Sequence, residues 1–123
     1  MIVLIDDLRT FKPSVISREG YTLLTTPAEA LEWFKSLEKG TRIDQLWFDH
    51  DLGEIDGVII DVMPVVNYLE NLLIFDKGPD IREVVVHTSN NNGGDKIMSA
   101  MRGRVRTVRR VDAGIYLEHL DKD

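Results

Sequence analysis

Apolar residues in this chain follow two patterns: short unbroken runs, and longer stretches in which they recur every three or four positions. Met1 to Ile5 is almost wholly apolar and stops at Asp6-Asp7, as a strand covered on both faces would. Tyr21 to Thr25, Leu46 to Phe48 and Val84 to Val86 repeat that pattern, and Val105 to Val111 alternates with arginines as an edge strand does. After the second run, Thr26 has the chemistry of an N-cap, with Pro27 in the first helical position and Glu29 in the third. Ala30, Leu31, Trp33, Phe34 and Leu37 follow at helical spacing, and Gly40 ends the helix. Val58, Val62, Val65, Val66, Leu69, Leu72 and Leu73 predict a second helix, kinked or restarted at Pro64. A short third helix is expected over 94–102. The segment from Leu8 to Gly20 contains Pro13 and Gly20 and is too short for a full helix with two turns, so the first crossover is expected to be shortened or irregular. Strands separated by helices imply βαβ units and a mainly parallel, five-stranded sheet in an α/β fold.

At 123 residues and 43% hydrophobic, the chain is sized for one domain with one core, residues 1–123. With no cysteine there is neither a disulfide framework nor a thiolate metal site. No apolar stretch reaches the ~18 residues of a membrane span, and no basic region precedes the first apolar run. A cytoplasmic location without membrane contact is the expectation. The net charge of -6 argues against duplex DNA as a partner, because such binding rests on neutralising phosphates. The basic strip Arg102, Arg104, Arg106, Arg109 and Arg110 reads as a solvated edge that blocks sheet-to-sheet pairing. Trp33, Phe34 and Trp47 read as core rather than as a stacking platform, and His119 as a surface residue without convergent neighbours.

The polar residues that end the strands carry the chemistry. In an open parallel sheet, ligands sit beyond the carboxyl ends of the strands. There the chain has Asp6-Asp7, then Asp49-His50-Asp51, then His87-Thr88-Ser89-Asn90, then Arg109-Arg110. Singly, such residues are turn, cap or core groups. At four strand ends on one rim, they read as a convergent pocket.

Asp6-Asp7, Asp49, Asp56-Gly57 and Thr88 resemble the receiver domains of bacterial response regulators across nearly the whole chain. That resemblance implies a flavodoxin-like, three-layer fold and a cation held by the acids. It also implies a phosphoacceptor at Asp49, which would make the chain a signalling domain. The pattern departs at Gly53, where a proline is expected, and at Arg109-Arg110-Val111, where a lysine-proline pair is expected. A closer resemblance covers the departures. Asp6-Asp7 with Arg9, Asp49-His50-Asp51-Leu52-Gly53, His87-Thr88-Ser89-Asn90 and the run 91–94 are similar to the cyclic-phosphate-processing receiver domains, which implies phosphodiesterase chemistry on a cyclic phosphate.

The residues support an account of their own. Asp6, Asp7 and Asp49 brought together repel one another unless a hard cation intervenes, so Mg²⁺ or Mn²⁺ is the expected cofactor. His50 and His87, with Asp51, are candidates for proton transfer, His50 as acid and His87 as base, and equally for metal ligation. Arg9, Thr88, Ser89 and Asn90, together with the amides of Gly93-Gly94, are candidates to hold phosphate oxygens. The expected function is metal-dependent hydrolysis of a cyclic phosphate on a nucleotide or RNA end, with a phosphorylated small molecule or RNA as partner. A non-catalytic module that binds a phosphorylated ligand or protein uses the same pocket and stands as the alternative.

Overall fold

The computed structural model describes residues 1–120. Its elements run β1 (Ile2–Ile5), β2 (Arg9–Phe11), a 3₁₀ turn (Arg18–Gly20), β3 (Thr22–Leu24), α1 (Pro27–Lys35), β4 (Arg42–Ile43) and β5 (Gln45–Phe48). They continue with β6 (Asp51–Ile55), β7 (Val58–Asp61), α2 (Met63–Ile74), β8 (Asp80–Ile81), β9 (Glu83–Val86), α3 (Asn91–Met101), β10 (Thr107–Arg110), α4 (Ala113–Tyr116) and β11 (Leu117–His119). The central sheet has the order β10-β9-β5-β1-β3, and every pairing in it is parallel. This is a receiver-like α/β architecture, with β10 and its arginines on an edge.

Register decides what meets at the rim. Ile5 pairs with Phe48, Phe48 with Val86, and Val86 with Arg110. The ladder then runs one step further: the Asp49 amide donates to the Ile5 carbonyl (3.1 Å) and the His87 amide to the Phe48 carbonyl (3.0 Å). Asp6, Asp49 and His87 therefore leave the sheet side by side.

The strands are apolar on both faces because both faces are covered. On one face Val3, Ile5, Phe48, Val84 and Val86 pack under α1, α2 and α3, through Phe34, Val66, Leu69 and Ile97 among others. On the other, Leu4, Trp47 and Val85 pack under Phe11, Ala113 and Leu117, from an antiparallel β2–β11 ribbon and α4. The three layers are thus helices, sheet, and a thin ribbon layer. Phe11 sets its ring edge-on to Tyr21 (4.8 Å between centroids) and to Trp47 (4.9 Å), filling the space that a first crossover helix would take.

Several local expectations are corrected. Val58 is not helical. Asp56 and Gly57 have φ of 51° and 78°, the two positive values that a two-residue hairpin turn needs, so residues 51–61 form the β6–β7 hairpin. The second helix starts only at Met63, with Pro64 in its first turn, where no amide hydrogen bond is lost. The third helix begins at Asn91, before the Gly93-Gly94 pair, because the Asn90 side chain caps it by accepting from the Gly93 amide (2.9 Å). His119 is exposed, as expected, but its backbone pairs with Arg9. The start of α1 is as expected, with Thr26 accepting from the Glu29 amide (3.1 Å) and Glu29 reaching back to the Thr25 amide (2.7 Å), but the helix ends at Lys35 with Ser36 as its C-cap, short of Leu37 and Gly40. Trp47 and Phe34 are buried, and Trp33 is partly buried.

Candidate functional site

Asp6 is fully buried, and every oxygen it offers is engaged. Oδ1 accepts from the Leu8 and Arg9 amides, both at 2.9 Å. Oδ2 accepts from His87 Nε2 (3.0 Å) and faces Arg9 Nε (3.3 Å). The tight turn after β1 produces this arrangement, since it folds Arg9 back over the aspartate that caps it. The other end of the Arg9 guanidinium lies 3.5 Å from Asp49 Oδ2, so one arginine spans both carboxylates.

The carboxylates respond differently. Burial pushes Asp6 up, but the His87 hydrogen bond, the Leu8 amide and the charges of His87 and Arg9 outweigh it, and its pKa is lowered. Burial, reinforced by the charge of Asp6, raises Asp49 despite His87, Thr88 and Arg9. Asp7 is also raised, by burial and by the neighbouring charges of Asp6 and Asp49. At two carboxyls of this rim the surroundings thus disfavour the charged form.

One ligand atom each from Asp6, Asp49 and His87 lies within 4.8 Å of the others. The donor set differs from the three aspartates expected: His87 joins it, and Asp7 stands outside it. Asp7 instead lines a cavity of about 400 Å³ with Asp49, Asp51, Arg9, Thr88 and Ser89. Gly53 (φ 103°) closes that wall, and a Cβ there would come within 3.4 Å of Asp7 Oδ2. The residue at the expected proline position is a glycine because the β6 bulge needs this backbone.

The two histidines approach from opposite faces of the sheet. His87 lies on the ribbon side, its ring centroid 6.0 Å from that of Trp47. His50 lies on the helix side, flat against Gly93 of α3, where an added Cβ would fall 2.3 Å from the ring. His50 Nδ1 donates to Asp51 Oδ1 (2.7 Å), and Asn90 Nδ2 lies 3.5 Å from the same oxygen. Among the described residues, His50 Nε2 and His87 Nδ1 are buried without a hydrogen-bond partner.

Thr88 and Ser89 line the cavity, and the Thr88 hydroxyl accepts from the Asn90 amide (3.1 Å). The glycine amides are not available to a phosphate. Gly93 donates to Asn90 Oδ1, and Gly94 donates to the Asn90 carbonyl (2.8 Å), so both are spent in the first turn of α3. Gly94 serves another purpose: its missing Cβ leaves room for the Arg110 guanidinium, 3.0 Å from where that carbon would be. Arg110 Nη2 donates to the Thr88 carbonyl and to Asn91 Oδ1, both at 3.0 Å. The register of β10 against β9 carries Arg110 to the rim, as expected of the fourth strand end, and away from the solvated strip in which it was also counted.

No helix among the described residues is long and apolar enough to cross a membrane. No curated protein and no solved structure matches the chain. Residues 1–103 match the family model described as the cyclic-phosphate processing receiver domain, a span that takes in every element from β1 to α3. With that match spanning most of the chain and the parallel sheet consistent with a receiver-like fold, the chain belongs to the family of cyclic-phosphate-processing receiver domains.

Proposed function

We propose that this site hydrolyses a cyclic phosphate diester on a nucleotide or an RNA end, using a divalent cation held by Asp6, Asp49 and His87. The observation that carries this reading is the grouping of three donor atoms within 4.8 Å of one another, beside a cavity walled by Asp49, Arg9 and Thr88. Two carboxylates and an imidazole suit Mn²⁺ better than Mg²⁺, which prefers oxygen donors throughout. The raised pKa values of Asp7 and Asp49 fit a place where additional positive charge is favourable. When bound, the cation would screen these carboxylates and polarise a phosphoryl oxygen.

The remaining work falls to the chain's own groups. In ring opening, the water oxygen bonds to phosphorus and the bond from phosphorus to one ring oxygen breaks. A base takes the water proton, and the departing oxygen receives one. His87 is assigned with Asp6 to the cation, so the proton roles pass to Asp51, supported by His50. Asp51 lines the cavity, takes the proton from water and returns it to the leaving oxygen, while His50 behind it orients the carboxylate. Arg9, Thr88 and Ser89 stabilise the charge that builds on phosphorus oxygens. Asn90 supports them indirectly, as the cap of α3.

The test is incubation of the purified protein with adenosine 2′,3′-cyclic phosphate and Mn²⁺. A ring-opened monophosphate is expected, and it should disappear with a chelator, with Asp49→Ala and with Asp51→Asn. Binding without turnover under either Mn²⁺ or Mg²⁺ would replace the enzyme by a phosphate-binding module.

A further inference from the structure

Beside the cavity that holds Asp49 lies a second one, of about 290 Å³, and the two share Arg9, Thr88 and Ser89 as a common wall. Their charges are opposite. The first is lined by four acids, Asp7, Asp49, Asp51 and Glu54, against one arginine. The second has two arginines, Arg9 and Arg110, against one acid, Asp112, whose Oδ1 is engaged by the Gly114 amide (2.9 Å).

Arg110 is fixed in place. Its Nη2 is anchored on the Thr88 carbonyl and Asn91, and the guanidinium lies over Gly94, where any side chain would crowd it. Only Nη2 is used in these bonds. Nη1 faces the exposed Asp95 at 3.9 Å, too far for a hydrogen bond. A guanidinium held by one nitrogen in the lining of a cavity is preorganised for a phosphate or carboxylate. The far wall, Val111 to Gly114, lies beyond residue 103, outside the part of the chain that matches the family.

We infer that the Arg110 cavity is a second anion subsite, and that the ligand of this protein carries a second phosphate in addition to its cyclic one. The reading rests on the proposed function for the first cavity. The cyclic phosphate occupies the shared wall at Arg9, Thr88 and Ser89, and the second phosphate extends toward Arg110. Two sources have this chemistry: a 5′-phosphate on a mononucleotide, and the neighbouring phosphodiester of an oligonucleotide that ends in a cyclic phosphate.

Binding of three probes to the full chain by calorimetry tests the inference: adenosine 2′,3′-cyclic phosphate, its 5′-phosphorylated form, and a diadenosine dinucleotide ending in a 2′,3′-cyclic phosphate. At least one of the last two is expected to bind about tenfold tighter than the first, and which of them does identifies the source. Arg110→Gln should abolish the preference, and Arg110→Lys, which keeps the charge but not the fork, should reduce it. Equal affinities in the native protein, or a preference that survives Arg110→Gln, would overturn the subsite. No binding of any probe would overturn both readings. A preference that depends on Arg110, found without hydrolysis of any probe, would leave the subsite standing and remove the enzyme.

Discussion

The imidazole of His50 rests on the Cα of Gly93, forty-three positions away in sequence, at a distance that leaves no room for a methyl group: a Cβ on residue 93 would meet the ring carbons at 2.3 and 2.5 Å. This contact joins the start of α3 to the strand end that carries the DHDLG motif, and it holds His50 Nδ1 on Asp51. Gly93→Ala is therefore expected to destabilise the fold by about 1–3 kcal/mol, the usual cost of overpacking. Denaturant unfolding measures it. In the Gly93→Ala, His50→Ala double variant much of that cost should vanish, since the clash is with the ring itself. Strict additivity would show that the contact is not the cause.

Asp6 and Asp49 are expected to respond to pH with opposite signs. For Asp49, burial and then the charge of Asp6 raise the folded pKa, so its contribution is fully present below the unfolded value of about 3.9 and is lost as pH rises through the folded value. In chelator at pH 7, Asp49→Asn should raise the melting temperature, with the gain closing in acid. For Asp6, burial is outweighed by His87, Leu8 and Arg9, so stability is present above the unfolded value and is lost as pH falls through the folded one. Asp6→Asn should cost roughly 1.5–3 kcal/mol at neutral pH, as expected for charged hydrogen bonds. Melting curves from pH 3 to 8 decide both, and equal signs would refute the assignment.

Arg9 lies 3.3 Å from Asp6 and 3.5 Å from Asp49, so it neutralises the same carboxylates that a cation would use. Arg9→Gln should strengthen Mn²⁺ binding, because a competing positive charge is removed, while turnover of a cyclic phosphate falls with the loss of a phosphate contact. Calorimetry for the ion and a rate assay for the ester read the two effects separately. Weaker Mn²⁺ binding in this variant would place the ion elsewhere.

The Asn90 side chain caps α3 through the Gly93 amide at 2.9 Å. Asn90→Ala should lose about 1 kcal/mol, and Asn90→Asp should retain most of it, since a carboxylate accepts the same hydrogen bond and favours a helix N-terminus. Chemical denaturation of the three proteins checks the order. Loss in Asn90→Asp equal to that in Asn90→Ala would show that the amide group acts instead through its donor contact with Asp51.

Much of the fold was legible because its determinants are local. The five runs are the five strands of the sheet, and the unbroken ones of β1, β5 and β9 lie inside it, where both faces are covered and no alternation is needed. Thr26, Pro27 and Glu29 identify a helix start from neighbours alone. The error over residues 58–61 came from reading valines at helical spacing while passing over the stronger local signal, Asp56-Gly57, whose positive φ angles turn the chain into a hairpin.

The sequence by itself determined which strand ends carry polar chemistry, and the motif residues point to the family that the match over 1–103 establishes. Only the tertiary structure decided how they are partnered. Asp6 and His87 meet across eighty-one positions because two parallel registers align their strand ends, and no periodicity along a chain encodes a neighbour in the sheet. Gly93 reads as the loop after the fourth strand and Gly94 as the first residue of the third helix, yet both are buried helix positions left without side chains to admit His50 and Arg110. Arg109 and Arg110 are adjacent and alike in sequence. The pleat sends one to Glu83 along the edge and the other over α3 to the rim, because alternate residues of a strand face opposite sides.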